Sequence, residues 1–113
     1  MRAVAKLRYY RSSPQKVRLV VNQVRGHGVS SALATLRLTH KRCARDIEKL
    51  VRSAVANLEQ KAPGIDTGRL VVEKIHVDQA PSLKRFRAAS LGRVFSRLHR
   101  YCHVTVQVAE REK

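Results

Sequence analysis

Acidic residues are scarce in this sequence, and two long regions have none. Lys and Arg number 24 against 8 Asp and Glu, which gives a formal net charge of +16. Residues 1–45 contain eleven basic and no acidic residues, residues 79–109 contain six basic and no acidic ones, and residues 46–78 contain five basic and six acidic. Because like charges that face only water destabilise a compact chain, we expect both acid-free regions to lie against a polyanion.

Other absences exclude whole classes of protein. No apolar run approaches the ~20 residues of a membrane-spanning helix, and no signal peptide is evident, so we expect no contact with a membrane. Cys43 and Cys102 stand apart without C-x-x-C spacing, which is typical of reduced cysteines in an intracellular protein. No spacing of His and Cys fits a zinc site, and no glycine-rich phosphate loop is present. We therefore expect no catalytic residue, no metal and no cofactor.

What is present suffices for one small folded domain. The 113 residues are 43% hydrophobic, although only 4% are aromatic and none is Trp. A modest core of Val, Leu and Ala is therefore expected, within a single domain over residues 1–113.

The first thirty residues predict a strand and a helix. Alternation from residue 2 to residue 9 predicts the strand, whose apolar side carries Ala3, Ala5, Leu7 and Tyr9. Ser12-Ser13-Pro14-Gln15 then predicts a helix start, since serine can cap the helix, proline fits its first turn, and Gln15 is placed for a capping box. Gly26 and Gly28 predict the end of this helix.

Two further helices are predicted, with Ser30 and Thr39 as their N-caps. The third helix is the best defined, because one apolar stripe follows it for about five turns until Pro63-Gly64. The stripe consists of Cys43, Ile47, Leu50, Val51, Ala54, Val55 and Leu58. We expect the core to be built on this stripe.

Residues 70–77 and 101–109 favour strands, and with the N-terminal strand they suffice for a small antiparallel sheet in an α+β fold. Between them lies a basic segment, residues 82–100, called the arm below. Its apolar residues fit an amphipathic helix, whereas a hairpin would extend about 35 Å from the sheet at ~3.3 Å per residue. Either shape exposes its charge, so we expect the arm to lie against something anionic.

Nucleic acid is the anion that these residues fit best. Arginine offers a planar fork for phosphate, and Phe86 and Phe95 either stack on bases or pack within the arm itself. His103 faces away from Cys102 on the last strand, so we expect it near phosphate and not at a metal. If the arm neutralises six phosphates, log affinity falls with log salt at a slope of roughly −4 to −5.

Seven segments, in order, carry a family resemblance. They are Ser12-Ser13-Pro14-Gln15-Lys16-Val17-Arg18-Leu19-Val20, Val24-Arg25-Gly26, Ser53-Ala54-Val55-Ala56-Asn57, Val77-Asp78, Pro81-Ser82-Leu83-Lys84-Arg85, Gly92-Arg93 and His103-Val104-Thr105-Val106. This series resembles the L-twenty-two family of large-subunit ribosomal proteins, bacterial type, over essentially the whole chain.

The resemblance implies three helices packed on a small three-stranded antiparallel sheet, with a long protruding β-hairpin over residues 78–103. It also implies a structural, non-enzymatic component of a cytoplasmic ribosome, an organellar one not being excluded, whose hairpin lines the nascent-polypeptide exit tunnel. The partners implied are large-subunit ribosomal RNA, neighbouring ribosomal proteins and the nascent polypeptide, with no homo-oligomer.

The resemblance also assigns site residues. Those expected to bind ribosomal RNA are Arg8, Arg11, Ser12, Ser13, Lys16, Arg18, Lys84, Arg85, Phe86, Arg87, Arg93, Arg97, Arg100 and His103. Those expected at the tunnel tip are Ala88, Ala89, Ser90, Leu91 and Gly92. The family usually has a Pro-Arg-Ala-Lys-type stretch before the glycine, so two cations and a rigid turn residue are missing, and we expect a weaker contact at the tip.

Two other classes fit the residues less well. A small DNA-binding regulator would use a helix pair around Gly26, yet the second helix offers only Arg37 as a long side chain that could read bases. An enzyme would need a reactive group. His40 and Cys43 lie three residues apart, but Cys43 belongs to the apolar stripe, where a thiol is usually inert.

Overall fold

The computed structural model describes residues 2–88 and 94–110, and for residues 84–88 and 94–98 it describes the backbone alone. Within these ranges the strands are β1 (Arg2–Tyr10), β2 (Leu70–Gln79), β3 (Leu83–Ala88), β4 (Val94–His99) and β5 (Cys102–Glu110). The helices are α1 (Pro14–Val21), α2 (Val29–Leu38) and α3 (Ala44–Lys61), and a single 3-10 turn covers Thr67–Arg69. The predicted α+β class is confirmed.

Three of the strands form an antiparallel sheet in the order β1-β5-β2. The central strand β5 alternates cleanly, and its inward side chains Cys102, Val104, Val106 and Val108 are fully buried. On that face α3 packs against β1 and β5, α1 packs against β2, and α2 packs against α3. The predicted packing of three helices on a three-stranded sheet is therefore confirmed. No helix within the described ranges is both long and apolar enough to cross a membrane.

The stripe predicted on the third helix forms a large part of the core. All of its residues are buried except Val55, which is partly buried against the same cluster, and Ala44 joins them. Ile47 and Leu58 are fully buried, and burying a side chain of this size contributes about 1.5–3 kcal/mol. Among the described residues the core contains no buried polar or charged side chain.

Side chains from the helices and from the turn after α1 bind backbone carbonyls along both edges of the sheet. On β2, the Arg25 guanidinium donates to the Ile75 carbonyl at 2.8 and 3.2 Å, and Arg18 donates to the Val77 carbonyl at 3.0 Å. On β1, the Asn57 amide donates to the carbonyl of Val4 at 3.1 Å. Exposed strand edges invite pairing with other chains, and these contacts occupy them.

The predicted helix starts are partly right. Ser13 caps α1 by accepting the Lys16 N–H at 3.4 Å, with Pro14 in the first turn. Because Ser13 and not Ser12 is the cap, Lys16 occupies the third helical position and the capping box with Gln15 is wrong.

The caps predicted for the second and third helices are wrong. α2 begins at Val29 with Gly28 as its N-cap, two residues earlier than an N-cap at Ser30 would give. Thr39 ends α2 instead of starting α3, and its hydroxyl donates to the Thr35 carbonyl at 2.7 Å. The N-cap of α3 is Cys43, which makes no side-chain capping bond.

A bulge near the end of β1 changes the predicted alternation. Leu7 pairs with Val104 and Tyr10 with Cys102, so three steps along β1 match two along β5. The extra residue moves Tyr10 onto the core side, where it packs partly buried, and leaves Tyr9 exposed. The placement of Tyr9 on the apolar side was wrong, because a strict period of two cannot register an inserted residue.

The arm is built from strands. β3 and β4 pair antiparallel in a separate two-stranded sheet, from Leu83 opposite His99 to Ala88 opposite Val94. The alternative of an amphipathic helix in this segment is therefore wrong. The molecule is elongated, with extents of 66 × 26 × 17 Å. The predicted tip residues Ala89, Ser90, Leu91 and Gly92, together with Arg93, lie outside the described residues.

Candidate nucleic-acid interface

Two predicted groups of site residues that lie far apart in sequence meet at the start of α1. The end of β1 leads through Arg11 and the capping serines into the first turn of α1. A groove of about 240 Å³ there is lined by Arg11, Ser12, Ser13, Lys16, His99 and Arg100. The base of the arm and the N-terminal segment therefore form one cationic surface.

A larger cleft continues from this groove. It has a volume of about 360 Å³ and shares Arg11, Ser12, Ser13 and Lys16 with the groove. Its remaining lining residues are Tyr10, Leu19, Lys41, Arg42 and Cys43. We call the groove and this cleft together the cationic cleft. Lys41 and Arg42 were missed by the sequence analysis, because two cations in a short loop look like ordinary solvated charge.

Among the residues that the structure describes, no carboxylate forms an ion pair with a cation of this surface. The ion pairs among the described residues join Arg2 to Glu73, Arg37 and Arg52 to Glu48, Arg69 to Asp66, and His76 to Asp78. None of these pairs includes a cation of the cationic cleft. The surface therefore keeps its positive charge available for an external anion.

One lining residue of the cleft, Tyr10, binds a carboxylate. Asp46, in the first turn of α3, accepts a hydrogen bond from the Tyr10 hydroxyl. Burial raises the pKa of the Tyr10 phenol above its ordinary range, and the Asp46 carboxylate raises this pKa further. The phenol therefore stays protonated and keeps its hydrogen bond to the Asp46 carboxylate.

Neither cysteine thiol among the described residues is activated. Burial raises the pKa of the Cys43 thiol, and it raises the pKa of the Cys102 thiol as well, so both sulfurs remain protonated. A protonated, buried thiol is a poor nucleophile. Within residues 2–88 and 94–110, no group of three or more His, Cys, Asp or Glu side chains is arranged to hold a metal ion.

Other predicted site residues lie away from the cationic cleft. Arg18 directs one N–H to the Val77 carbonyl, so it also fastens α1 to the sheet. Arg8 and His103 lie on the face of the sheet opposite the helices, where a hollow of about 300 Å³ also contains Lys6, Tyr9, Asp78 and Thr105. The sequence analysis did not identify Lys6 or Tyr9 as site residues.

The remaining predicted residues lie on the arm. The backbone register places Lys84 opposite Leu98, Arg85 opposite Arg97, Phe86 opposite Ser96, and Arg87 opposite Phe95. The register thus brings two basic residues, Arg85 and Arg97, to one position of the strand pair.

Comparison with known proteins gives a consistent result. The family described as "Ribosomal protein L22p/L17e" matches residues 5–109. Large ribosomal subunit protein uL22 of Solibacter usitatus (strain Ellin6076) is 41% identical over 112 residues, which cover 99% of both chains. The uL22 protein of Geobacter sulfurreducens is 46% identical over 112 residues, covering 99% of this chain and all of that one. The uL22 protein of Anaeromyxobacter sp. (strain Fw109-5) is 44% identical over 104 residues, covering 92% of this chain and 72% of that one.

Proposed function

We propose that this chain, which belongs to the ribosomal protein L22p/L17e family, binds large-subunit ribosomal RNA through the cationic cleft and the arm. It is a structural protein of the large ribosomal subunit and not an enzyme, as the sequence analysis expected. Its bacterial relatives agree with the expected location in a cytoplasmic ribosome.

One observation carries the proposal of RNA binding. Arg11, Lys16 and Arg100 line one groove although the first and last are 89 positions apart, and no carboxylate lines that groove. Bringing like charges together costs free energy, which a phosphate backbone would recover. Arginine contributes planar, two-pronged hydrogen bonding to phosphate, and lysine contributes a compact charge.

The mechanism we propose is electrostatic clamping. RNA segments that approach each other repel through their phosphates, and a cationic strand pair inserted between them screens that repulsion. The register position shared by Arg85 and Arg97 supports this role, because it brings two basic residues to one point of the strand pair, where a phosphate would neutralise their charge. Clamping of this kind would support assembly of the large subunit.

We extend the proposal to the exit tunnel. The elongated shape, with a longest extent of 66 Å, fits a body that rests on RNA while the arm reaches farther into the particle. In this proposal residues 78–103 form the reaching hairpin of one RNA-binding domain, 1–113, and Ala88 to Gly92 meet the nascent polypeptide. The chain would act as a single copy beside neighbouring ribosomal proteins.

Co-sedimentation with large ribosomal subunits tests the RNA-binding proposal. The native chain should travel with the subunits and leave them only in molar salt, because many phosphate contacts must be released together. Replacing Arg11, Lys16 and Arg100 by serine should release the protein at clearly lower salt.

The matched control replaces Lys49, Arg52 and Arg69 by serine, which removes the same charge from the nearly neutral middle of the chain. This control should release like the native chain. If both triple variants leave the subunits at the same salt concentration, the groove is not an RNA-binding surface. If the native chain sediments apart from the subunits at moderate salt, the chain does not bind the RNA at all.

A further inference from the structure

Tyr9 combines exposure with strain. Its side chain is 63% exposed, although tyrosine is large and mostly apolar. Its φ is +55°, the left-handed region that non-glycine residues rarely adopt, and among the described residues it is the only non-glycine with a positive φ. Strain of this kind persists where surrounding structure enforces it, and it concentrates at binding sites.

His103 enforces this conformation through two contacts. The Tyr9 N–H donates to His103 Nδ1 at 3.0 Å, and the two rings meet edge to face with centroids 4.7 Å apart and planes at 88°. Tyr9 is therefore fixed at both its backbone and its ring, while much of the ring surface remains open to solvent.

The surroundings of Tyr9 favour an anionic ligand with an aromatic part. The hollow beside the ring has a volume of about 300 Å³ and includes Lys6 and Arg8, against one carboxylate, Asp78. Asp78 lies 3.7 Å from His76 Nε2. The residues around the ring thus offer two cations for phosphate, and the ring offers a flat apolar surface.

We infer that Tyr9 is a stacking platform for one unpaired base of RNA, with Lys6 and Arg8 binding phosphates of the same strand and His103 holding the platform in place. Unstacked bases in loops and bulges stack on aromatic side chains, whereas paired bases are already covered by their neighbours. This inference rests on the proposed RNA-binding function, and it adds a base contact to what is otherwise phosphate binding.

Two substitutions test the role of the Tyr9 ring separately from that of its backbone conformation. Tyr9→Gly removes the ring and suits a positive φ, so the protein should unfold at the same temperature as the native chain or higher. Its affinity for protein-free large-subunit ribosomal RNA should nevertheless fall by roughly 5- to 150-fold, the range for losing one stacked base. Tyr9→Phe keeps the ring and should bind within about twofold of the native chain.

Salt dependence distinguishes stacking from charge. Tyr9→Gly should leave the slope of log affinity against log salt unchanged, whereas replacing Lys6 and Arg8 by serine should reduce its size by roughly 1.4 to 1.8. Ultraviolet cross-linking of the native complex, followed by mass spectrometry, should place a nucleotide on Tyr9. Leu38→Ala, which truncates a 79% exposed side chain elsewhere, serves as the control for loss of apolar surface.

The outcomes separate this inference from the broader proposal. If Tyr9→Gly binds the RNA as tightly as the native chain, the stacking platform is wrong while RNA binding stands. If Tyr9→Gly binds naked RNA normally but enters complete subunits poorly, the ring contacts a neighbouring protein and the inference is again wrong. If the native chain itself shows no salt-dependent binding to the RNA, both proposals fail.

Discussion

The body of this protein, residues 2–81 and 101–110, and its arm are held together by different forces. The body buries a continuous cluster of Val, Leu, Ile and Ala between three helices and a three-stranded sheet. In the arm, β3 and β4 pair with each other in a separate sheet of two strands. A two-stranded hairpin is at best marginally stable in water, whereas a sheet covered by helices is stable without a partner.

The body and the arm also differ in the balance of their charges. The acidic residues lie mainly on the body, where they pair with local cations, and residues 79–109 contain none. We therefore expect the body to fold as a free protein, and the arm to gain most of its stability when an anion neutralises it. Four predictions about the free energy of unfolding test this difference between the body and the arm. They are ordered from the largest expected effect to the smallest.

The largest effect is expected in the core of the body. Ile47 is fully buried on α3, and Ile47→Ala should lower the free energy of unfolding by about 2–5 kcal/mol, because it removes apolar contacts and leaves a cavity. Urea unfolding measures this loss. Glu59→Ala, on the exposed side of the same helix, should change stability by no more than about 0.5 kcal/mol. Comparable losses for both would mean that the stripe does not hold the body together.

A smaller effect is expected at the edge of the body sheet. Arg25→Ala removes both hydrogen bonds to the Ile75 carbonyl and should cost roughly 1–3 kcal/mol. Arg37→Ala, which removes an exposed ion pair with Glu48, should cost less than about 1 kcal/mol. Thermal unfolding of both variants gives the comparison. An Arg25→Ala variant as stable as the native chain would show that these hydrogen bonds do not stabilise the edge of β2.

Alkaline pH should destabilise the body through Tyr10. Because the folded state raises the pKa of this phenol above the ordinary value of 10.0, the folded chain keeps a proton that the unfolded chain releases. The free energy of unfolding should therefore fall as pH rises through about 10. The arm contains no tyrosine, so the effect reports on the body alone.

Tyr10→Phe provides the control for this effect. It should be less stable than the native chain at neutral pH, because the bond to Asp46 is lost, and the gap between the two proteins should narrow above pH 10. Urea unfolding from pH 8 to pH 11 measures the gap. A gap that stays constant over this range would contradict the role assigned to the Tyr10 proton.

The smallest effect on folding is expected in the arm. Replacing Arg85 and Arg97 by serine should leave the free energy of unfolding of the free protein within about 0.5 kcal/mol of the native value, or raise it slightly, because two like charges at one register position are removed. Replacing Lys49 and Arg52 by serine removes the same charge from the body. A marked loss of stability in the arm variant alone would mean that the arm packs onto the body.

The body was largely predictable from its hydrophobic pattern. The stripe from Cys43 to Leu58 repeats over the five turns of α3, and the alternation of β5 is unbroken, so both elements follow from periodicity. The caps were harder to predict. Ser30 and Thr39 are good N-cap residues, yet the buried Val29 sets an earlier start for α2, and the Thr39 hydroxyl bonds back to Thr35.

The site was only partly predictable, because folding decides which charges meet. Arg11, Lys16 and Arg100 could each be named from the basic blocks, but their shared groove depends on how the base of the arm returns past α1. Lys41 and Arg42 join them only because α3 starts at Ala44 and leaves its preceding loop beside the cleft. Tyr9 was predicted on the wrong side of β1, because a strict alternation of apolar and polar residues does not reveal a bulge.

The most direct test of the central claim is the salt dependence of binding to large-subunit ribosomal RNA, with and without the charge of the arm. The comparison sets the native chain against a variant in which Lys84, Arg85, Arg87, Arg93, Arg97 and Arg100 are all serine. If the arm neutralises six phosphates, the slope of log affinity against log salt should be shallower in the variant by roughly 4 to 5. Equal slopes for the two proteins would contradict the claim that the arm is held by RNA.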